Sequence, residues 1–503
     1  MIPTVTLADK EPTGSEEAVL IPLFKDTRTL KGSVRRLDRL YNSEISRYLD
    51  VGHFDGSAGK MRLLPLRTET NLCHVLLVGL GERPKLDVEK IAQYAGTASR
   101  QLKVLKIKKA HLLIDLAPAG AARNSFLHAF LKGYLLARYD FSLKTKSKNE
   151  KPGAETLVIN CGQDKAKLSR TVQRVKTIIE HVTKVRDMVN APANTMTPND
   201  MAREARTVSK ASGISCRVLS LKEIQKKKMG GILSVAKGSV EEPKLIVMQY
   251  NMDRRRLPLV CLVGKGVTFD SGGISLKSWE HMSEMKGDMA GGAVVINTVA
   301  AAARLKLPVR IVGVVPCVEN MPSSRALKPG DIINTYSGKT IEVISTDAEG
   351  RLILSDAITY AGEFKPSLVV DIATLTGACL IARGTRIAGV MGTSQNYIQQ
   401  LVQSGTTTGE PVWQLPLDET FQDMVKGDIT DYKNYSGRYG SSITAAALLA
   451  EFAGQTPWFH IDIAGTFWAD SSKVSYHSKG GTGYGVDLLI RFLESFSSRT
   501  RRN

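Results

Sequence analysis

Three short stretches of the chain concentrate charge of a kind that does chemistry. Lys265, Asp270 and Lys277 lie in 263–277, Asp288 in 285–289, and Asp347, Glu349 and Arg351 in 345–352. Beside apolar runs such as 259–263 these charges need compensation, because an ion in a dry interior costs several kcal/mol unless it is paired. Asp270, Asp288, Asp347 and Glu349 offer hard oxygen ligands, and converging carboxylates raise one another's pKa. Two divalent cations would cancel that charge. Two-metal hydrolytic sites hold their ions ~3.5–4 Å apart and need bridging carboxylates. Asp347 and Glu349 are one residue apart, so on an extended backbone both face one side. Lys265 ligates a metal only as the neutral amine, and neighbouring cations favour loss of its proton. Lys277, still protonated, would act on a developing oxyanion. Arg351 offers a charged bidentate fork for a small anion.

These groups require a rigid frame. Apolar runs at 245–250, 259–263, 309–316, 368–373, 387–391 and 458–463 predict strands, and 289–305, 351–364, 397–404, 443–452 and 485–496 predict the helices between them. The alternation predicts a doubly wound, mainly parallel sheet flanked by helices, whose ligands gather at the carboxyl ends of strands. Asp270 follows one such strand and 374–377 follows another. Upstream, strands at 19–24, 62–67, 74–79, 111–116 and 156–160 and helices at 88–103 and 123–138 predict a small N-terminal α/β domain. Gly79-Leu80-Gly81 is a strand-to-loop turn, since the rest of a dinucleotide fingerprint is missing. The polar, lysine-rich 144–153 predicts a surface loop. Apolar residues from Leu168 to Met188 recur at helical spacing and stop before Asn190-Ala191-Pro192. The expected organisation is therefore an α/β domain over 1–165, a linker helix over 166–190 and a larger α/β domain over 191–503 that carries the charged stretches.

The stretch 265–277, Asp288 and the run Thr346-Asp347-Ala348-Glu349-Gly350-Arg351-Leu352 resemble the leucine (cytosol) aminopeptidase family of two-metal exopeptidases. The likeness continues through Glu319-Asn320-Met321-Pro322, Lys328-Pro329-Gly330-Asp331, 371–378 and 460–465, and covers nearly all of the chain after about Asn190. It implies metal ligands at Lys265, Asp270, Asp288, Asp347 and Glu349, with Asp270 and Glu349 bridging two ions, manganese or zinc. It implies catalytic roles for Lys277 and Arg351, the arginine holding bicarbonate as general base, and attack by a metal-bridging water on a peptide substrate. It further implies a leucine-type but broad preference, a homohexamer, and a pocket for the N-terminal side chain lined by Met285, Thr374 and Gly481. Gly481 would enlarge that pocket where relatives carry Met or Ala. One departure is visible: the family usually has Asn where this chain has Ser345, which implies altered support of the neighbouring ligands.

Length and composition fit this reading. The 503 residues suit two domains, and 43% hydrophobic with 23% charged residues describe a globular protein. No basic-then-apolar leader opens the sequence, and no apolar run nears the ~20 residues that cross a bilayer. Cys73, Cys161, Cys216, Cys261, Cys317 and Cys379 are scattered without a Cys-x-x-Cys pair, which predicts reduced thiols and a cytoplasmic protein. The net charge of +19 opens a competing reading, a nucleic-acid-binding or regulatory protein on an aminopeptidase scaffold. Basic clusters at 103–109, 144–151, 226–228, 254–256 and 499–502 lack the interleaved aromatics of a single-strand binder. The trypsin-like look of Phe269-Asp270-Ser271-Gly272-Gly273 carries no nucleophile, because the surroundings are α/β. No His-Glu-x-x-His helix is present. His460 reads as a core residue, His281 as a surface or loop residue, and Asp331 and Asp462 as hydrogen-bonding turn or core residues.

Overall fold

A computed structural model describes residues 2–9, 17–67, 69, 71–144, 155–470 and 474–499. Apart from Lys144, the lysine-rich loop at 144–153 lies outside these residues. The chain divides into two compact units, Met1–Ile179 with Ser471–Lys479, and Glu180–Asp470 with Gly480–Asn503. The division falls inside one helix, Lys165–Asn190, whose apolar spacing is the one read from the sequence.

The first unit holds a six-stranded sheet. Its strands are β1 (Thr4–Ala8), β2 (Ala18–Phe24), β3 (Met61–Arg67), β4 (Leu72–Gly81), β5 (Lys109–Leu113) and β6 (Thr156–Asn160), in the order β1-β6-β5-β2-β4-β3. Only the β3–β4 pair is antiparallel. The expected strand at 111–116 sits earlier, at β5, because its pairing with β6 runs from Lys109 to Leu113. Helices Val88–Val104 and Ala121–Leu136 match their predicted spans. Gly133 sets their approach: a Cβ there would meet the Ala92 carbonyl at 1.9 Å.

The second unit is built on a nine-stranded sheet. It comprises β7 (Ser215–Leu219), β8 (Lys244–Tyr250), β9 (Leu259–Gly264), β10 (Gly266–Asp270), β11 (Arg310–Asn320), β14 (Leu368–Ala373), β15 (Ala388–Gly392), β16 (Val412–Gln414) and β18 (Trp458–Asp462). The path is β16-β15-β18-β14-β9-β11-β8-β7, with β10 on β11. The centre, β18-β14-β9-β11, is parallel, and β8, β7 and β15 add antiparallel pairs towards the edges. Every residue of β9 and β14 is buried, as strands covered on both faces must be. The expected fold class is the observed one. Two small sheets complete the unit: β12 (Ile332–Asn334), β13 (Thr340–Glu342) and β17 (Tyr432–Lys433), and the pair β19 (Trp468–Ala469) and β20 (Gly480–Gly481).

Small residues bring one helix unusually close to the sheet. In Ala290–Arg304, a Cβ on Gly291 would meet the Ile372 carbonyl at 2.1 Å, and one on Gly264 would meet the Gly291 carbonyl at 2.5 Å. The helix therefore packs on β9 and β14 with backbone near backbone, and its Gly292 amide donates to the Lys265 carbonyl at 2.6 Å. This contact fixes the strand exit bearing Lys265 against the helix start next to Asp288.

The middle of that helix faces His181. Its Nδ1 is 3.1 Å from Asn297 Oδ1, its Nε2 has no hydrogen-bond partner, and burial pulls its pKa down to about 4. Asn297 and Glu180 favour the charged ring and Arg304 and Lys184 oppose it, but burial outweighs them. A depressed folded pKa leaves stability intact above the unfolded value of about 6.5. As pH falls towards 4 only the unfolded chain takes the proton, and up to about 3 kcal/mol is lost. The expected result is a steep acid limb in urea unfolding between pH 6.5 and 4 that His181→Gln flattens. Identical limbs in the two proteins would refute it.

Candidate metal centre

Lys265 stands between β9 and β10, which pair with successive stretches of β11, and Asp270 closes β10 at the end of that run. Asp288 ends the turn Met282–Gly287, two residues before helix Ala290–Arg304, and Glu349 stands directly before helix Gly350–Gly362. Both carboxylates thus sit where the free N–H groups and dipole of a helix start favour negative charge. Asp347 and Glu349 do share a side, but not from an extended strand. Residues 346–347 form a turn, and Glu349 already has helical φ/ψ of −75° and −34°.

The centre has two linked halves. Lys265 Nζ lies 2.7 Å from Asp288 Oδ2, 2.7 Å from Glu349 Oε1 and 3.0 Å from the Thr374 carbonyl oxygen. Lys277 Nζ lies 2.8 Å from Asp270 Oδ2 and also contacts Asp347 Oδ1. Oxygens of Asp270, Asp347 and Glu349 all fall within 4.8 Å of one another and join the halves. Asp270, Asp288 and Glu349 are buried, whereas Asp347 is 37% exposed at its side chain and opens the cluster to solvent.

Electrostatics follow from crowding. Burial pushes Asp288 well above the carboxylate range, against the pull of Lys265. Burial and then Asp270 raise Asp347 to about 6, with Lys277 opposing. Burial works against the charge on Lys265 and Lys277, yet the surrounding carboxylates raise both above a free lysine. Burial pulls Arg351 down to about 10. In this state the lysine ammoniums are the countercharges of the cluster.

The donor set fits divalent metal ions. Apart from the ion pairs of Glu349 Oε1 and Asp288 Oδ2 to Lys265, both Glu349 carboxylate oxygens and Asp288 Oδ2 are buried without a hydrogen-bond partner among the described residues. Groups so desolvated are costly unless something binds them. Asp270, Asp347 and Glu349 are positioned to share a cation, with Asp288 and the Lys265 amine on one flank. Oxygen-rich sites of this kind suit manganese and magnesium, and zinc accepts them.

Four supporting side chains carry the arrangement, Asp462 among them in the hydrogen-bonding role expected from the sequence. Asn320 Nδ2 donates to Asp270 Oδ1 at 2.8 Å and to the Thr346 carbonyl at 3.0 Å. Thr374 Oγ1 donates to Asp288 Oδ1 at 2.7 Å. Thr346 Oγ1 donates to the Gly272 carbonyl at 2.6 Å and accepts from Ser275 N at 2.8 Å. Asp462 accepts from Leu375 N at 3.2 Å and Thr376 Oγ1 at 2.7 Å, pinning the loop after β14. Gly272 and Gly273 both have positive φ, 87° and 66°, so the chain turns sharply between Asp270 and Lys277. Ser345, at the position of the departure, accepts from Asp347 N through its hydroxyl at 3.3 Å.

The remaining residues singled out from sequence fall as follows. Arg351 is buried in the first turn of its helix, and Nη1 donates to the Asn434 carbonyl at 2.7 Å. Met285 is half-buried in the turn before Asp288. Gly481 pairs with Trp468, accepts from Arg186 Nε at 3.0 Å and donates to Asn190 Oδ1 at 2.9 Å. A Cβ on Gly481 would lie 2.7 Å from Val189 Cγ1. The missing side chain therefore faces helix Lys165–Asn190, and close packing there is what Gly481 allows. Ser271 donates its hydroxyl to the Asn320 carbonyl at 2.7 Å. His460 is buried with Nδ1 2.5 Å from Asp371 Oδ1, a core residue, and His281 is exposed beside Glu284. The six cysteines are free, and all but Cys216 are buried. Among the described residues no helix is long and apolar enough to cross a membrane.

Comparison with known proteins agrees with this chemistry. Residues 183–490 match the catalytic domain of the cytosol aminopeptidase family, and residues 20–149 match its N-terminal domain. A probable cytosol aminopeptidase of Syntrophotalea carbinolica is 41% identical over 483 residues, 95% of this chain and 97% of the relative. One from Geobacter sulfurreducens is also 41% identical, over 95% of this chain and 96% of its own. Among solved structures, the bottromycin maturation enzyme BotP in complex with Mn superimposes with a TM-score of 0.84 at 30% identity, covering 96% of this chain and 100% of BotP. A tomato leucine aminopeptidase mutant superimposes with a TM-score of 0.86 at 27% identity, covering 98% of this chain and 97% of its own.

Proposed function

The chain belongs to the cytosol aminopeptidase family, and from that premise we propose that it releases N-terminal residues, leucine among them, from peptides at a two-metal centre. The observation that carries the reading is the Asp270–Asp347–Glu349 cluster, in which Lys265 is the ion-pair partner of Glu349. Lys265, Asp270, Asp288, Asp347 and Glu349 would hold two divalent ions, manganese or zinc, and a manganese complex of BotP supports the first choice. When bound, such ions would supply Lewis acidity at the scissile carbonyl and would lower the pKa of a water that serves as nucleophile.

The chain's own residues do the rest. Asp270 and Glu349, held by Asn320 and by the start of a helix, fix the spacing of the carboxylates. Once those carboxylates are otherwise neutralised, the Lys277 ammonium is free to turn from Asp270 and Asp347 towards an oxyanion. Arg351 keeps its charge at neutral pH and offers a buried guanidinium for a small anion such as bicarbonate, the proposed general base. Met285, whose carbonyl accepts from Asp288 N, and Thr374, whose hydroxyl donates to Asp288 Oδ1, are the proposed walls for the N-terminal side chain, and the close packing of Gly481 on Val189 leaves it a backbone role there. The family likeness extends the proposal to a homohexamer in the cytoplasm.

Hydrolysis of leucine p-nitroanilide tests the reading. A chelator is expected to remove activity and manganese or zinc to restore it, while DNA retention at physiological salt stays at background. Activity that survives complete metal removal would overturn the proposal.

A further inference from the structure

One fully buried residue outside the motif segments touches both the ligand loop and the arginine. Asn434 is 0% exposed and follows β17, whose parallel pairing with β13 aligns Glu342 with Lys433. This register lays Asn434 against the segment leading to Asp347 and Glu349. All four of its polar atoms are used there. Its backbone N–H donates to the Glu342 carbonyl at 3.0 Å. Its Oδ1 accepts from Ile344 N at 2.8 Å and Ser345 N at 3.2 Å. Its Nδ2 donates to the Ser345 carbonyl at 2.6 Å and the Ala348 carbonyl at 3.3 Å. Its own carbonyl accepts from Arg351 Nη1 at 2.7 Å.

A buried guanidinium is expensive to desolvate and turns to wherever acceptors stand. Here the Asn434 carbonyl is the acceptor the structure gives to Nη1, while Nε has no partner. The orientation of Arg351 therefore depends on where that carbonyl lies. The carbonyl's place depends on the side-chain amide, which bonds the same backbone to 344–348. We infer that Asn434 is a positioning residue: its amide locks the ligand loop to the backbone acceptor of Arg351, and so fixes the guanidinium relative to Asp347 and Glu349. This deepens the proposed aminopeptidase reading and rests on it. Ser345 sharpens the point, since its short side chain reaches only Asp347 N and the amide contacts to this loop come from Asn434.

A double-mutant cycle on the full-length, manganese-loaded protein tests the inference with leucine p-nitroanilide. Asn434→Ala is expected to lower kcat about 10–100-fold, the range for loss of a supporting residue, with KM within about 2-fold and manganese affinity within a few-fold of wild type. In an Arg351→Ala background the same change is expected to cost less than about 3-fold, because the group it orients is gone. Full multiplication of the two losses would overturn the inference, as would a fall in manganese affinity that parallels kcat. Asn434→Ser keeps a small hydroxyl able to bond the loop and adds no buried charge. It carries the same cycle if the alanine variant does not fold, with a smaller loss expected. A crystal structure of either variant gives a readout independent of turnover: Arg351 rotated away with 345–349 in place supports the inference, and an unmoved guanidinium refutes it. A wild-type protein inert towards the substrate would instead count against the proposed function.

Discussion

Glu349→Gln is expected to cut hydrolysis of leucine p-nitroanilide by more than the ~10–100-fold seen when only a supporting residue is lost, without unfolding the protein. Glutamine keeps the size and shape of glutamate but replaces one ligating oxygen with an N–H₂ group that cannot bind a cation. Glu349 is held by one ion pair, Oε1 to Lys265 at 2.7 Å, and Lys265 keeps its second partner Asp288, so the variant breaks no wider network. The metal-free protein should even gain slightly, since one of several mutually repelling carboxylates is neutralised while Lys265 keeps Asp288. Thermal unfolding separates the two effects. Wild type is expected to be stabilised by manganese, by about 2.7 kcal/mol at 100 times the dissociation constant, and Glu349→Gln much less. Equal metal-induced shifts in both proteins would remove Glu349 from the ligand set.

Lys277→Met should leave metal binding and folding largely intact and lower kcat by about 10²–10³, the usual cost of losing one donor to a developing oxyanion. The side chain is 24% exposed and bonds only to carboxylates that the proposed ions would also neutralise. Its removal therefore strands no fully buried partner in the loaded enzyme. If the lysine acts only in the transition state, kcat and kcat/KM fall together and KM stays put. A raised KM with unchanged kcat would reassign Lys277 to ground-state binding of substrate.

The parallel centre of the large sheet was readable because β9, β11, β14 and β18 are short runs rich in apolar and β-branched residues that alternate with helix-length segments. Six of the seven charged residues marked at the outset converge in the two linked halves, and Arg351 stands in the next helical turn. Helix Pro198–Ser212 was passed over although its signal was present: Thr197 and Asp200 form a capping box and Pro198 opens the helix. Other features had no local signal. Asn434 sits in a polar loop of ordinary composition, and its importance arises from a register between two- and three-residue strands. Nothing in the spacing around Gly481 tells which way a missing side chain would point; Val189, on a distant helix, decides that. The extended backbone expected at Asp347 and Glu349 failed because alternation is only one way to align two side chains, and a turn entering a helix is another.

The centre is assembled from pieces far apart along the chain. Lys265 reaches the Thr374 carbonyl across 109 positions, and Arg351 reaches Asn434 across 83. Contacts of that sequence separation form late, after long loops have closed. A growing polypeptide still on the ribosome thus holds the acidic ligands well before it holds the acceptor for its guanidinium. On the proposed roles, an enzyme that trims free amino ends stays harmless to neighbouring nascent chains until its own synthesis is nearly done.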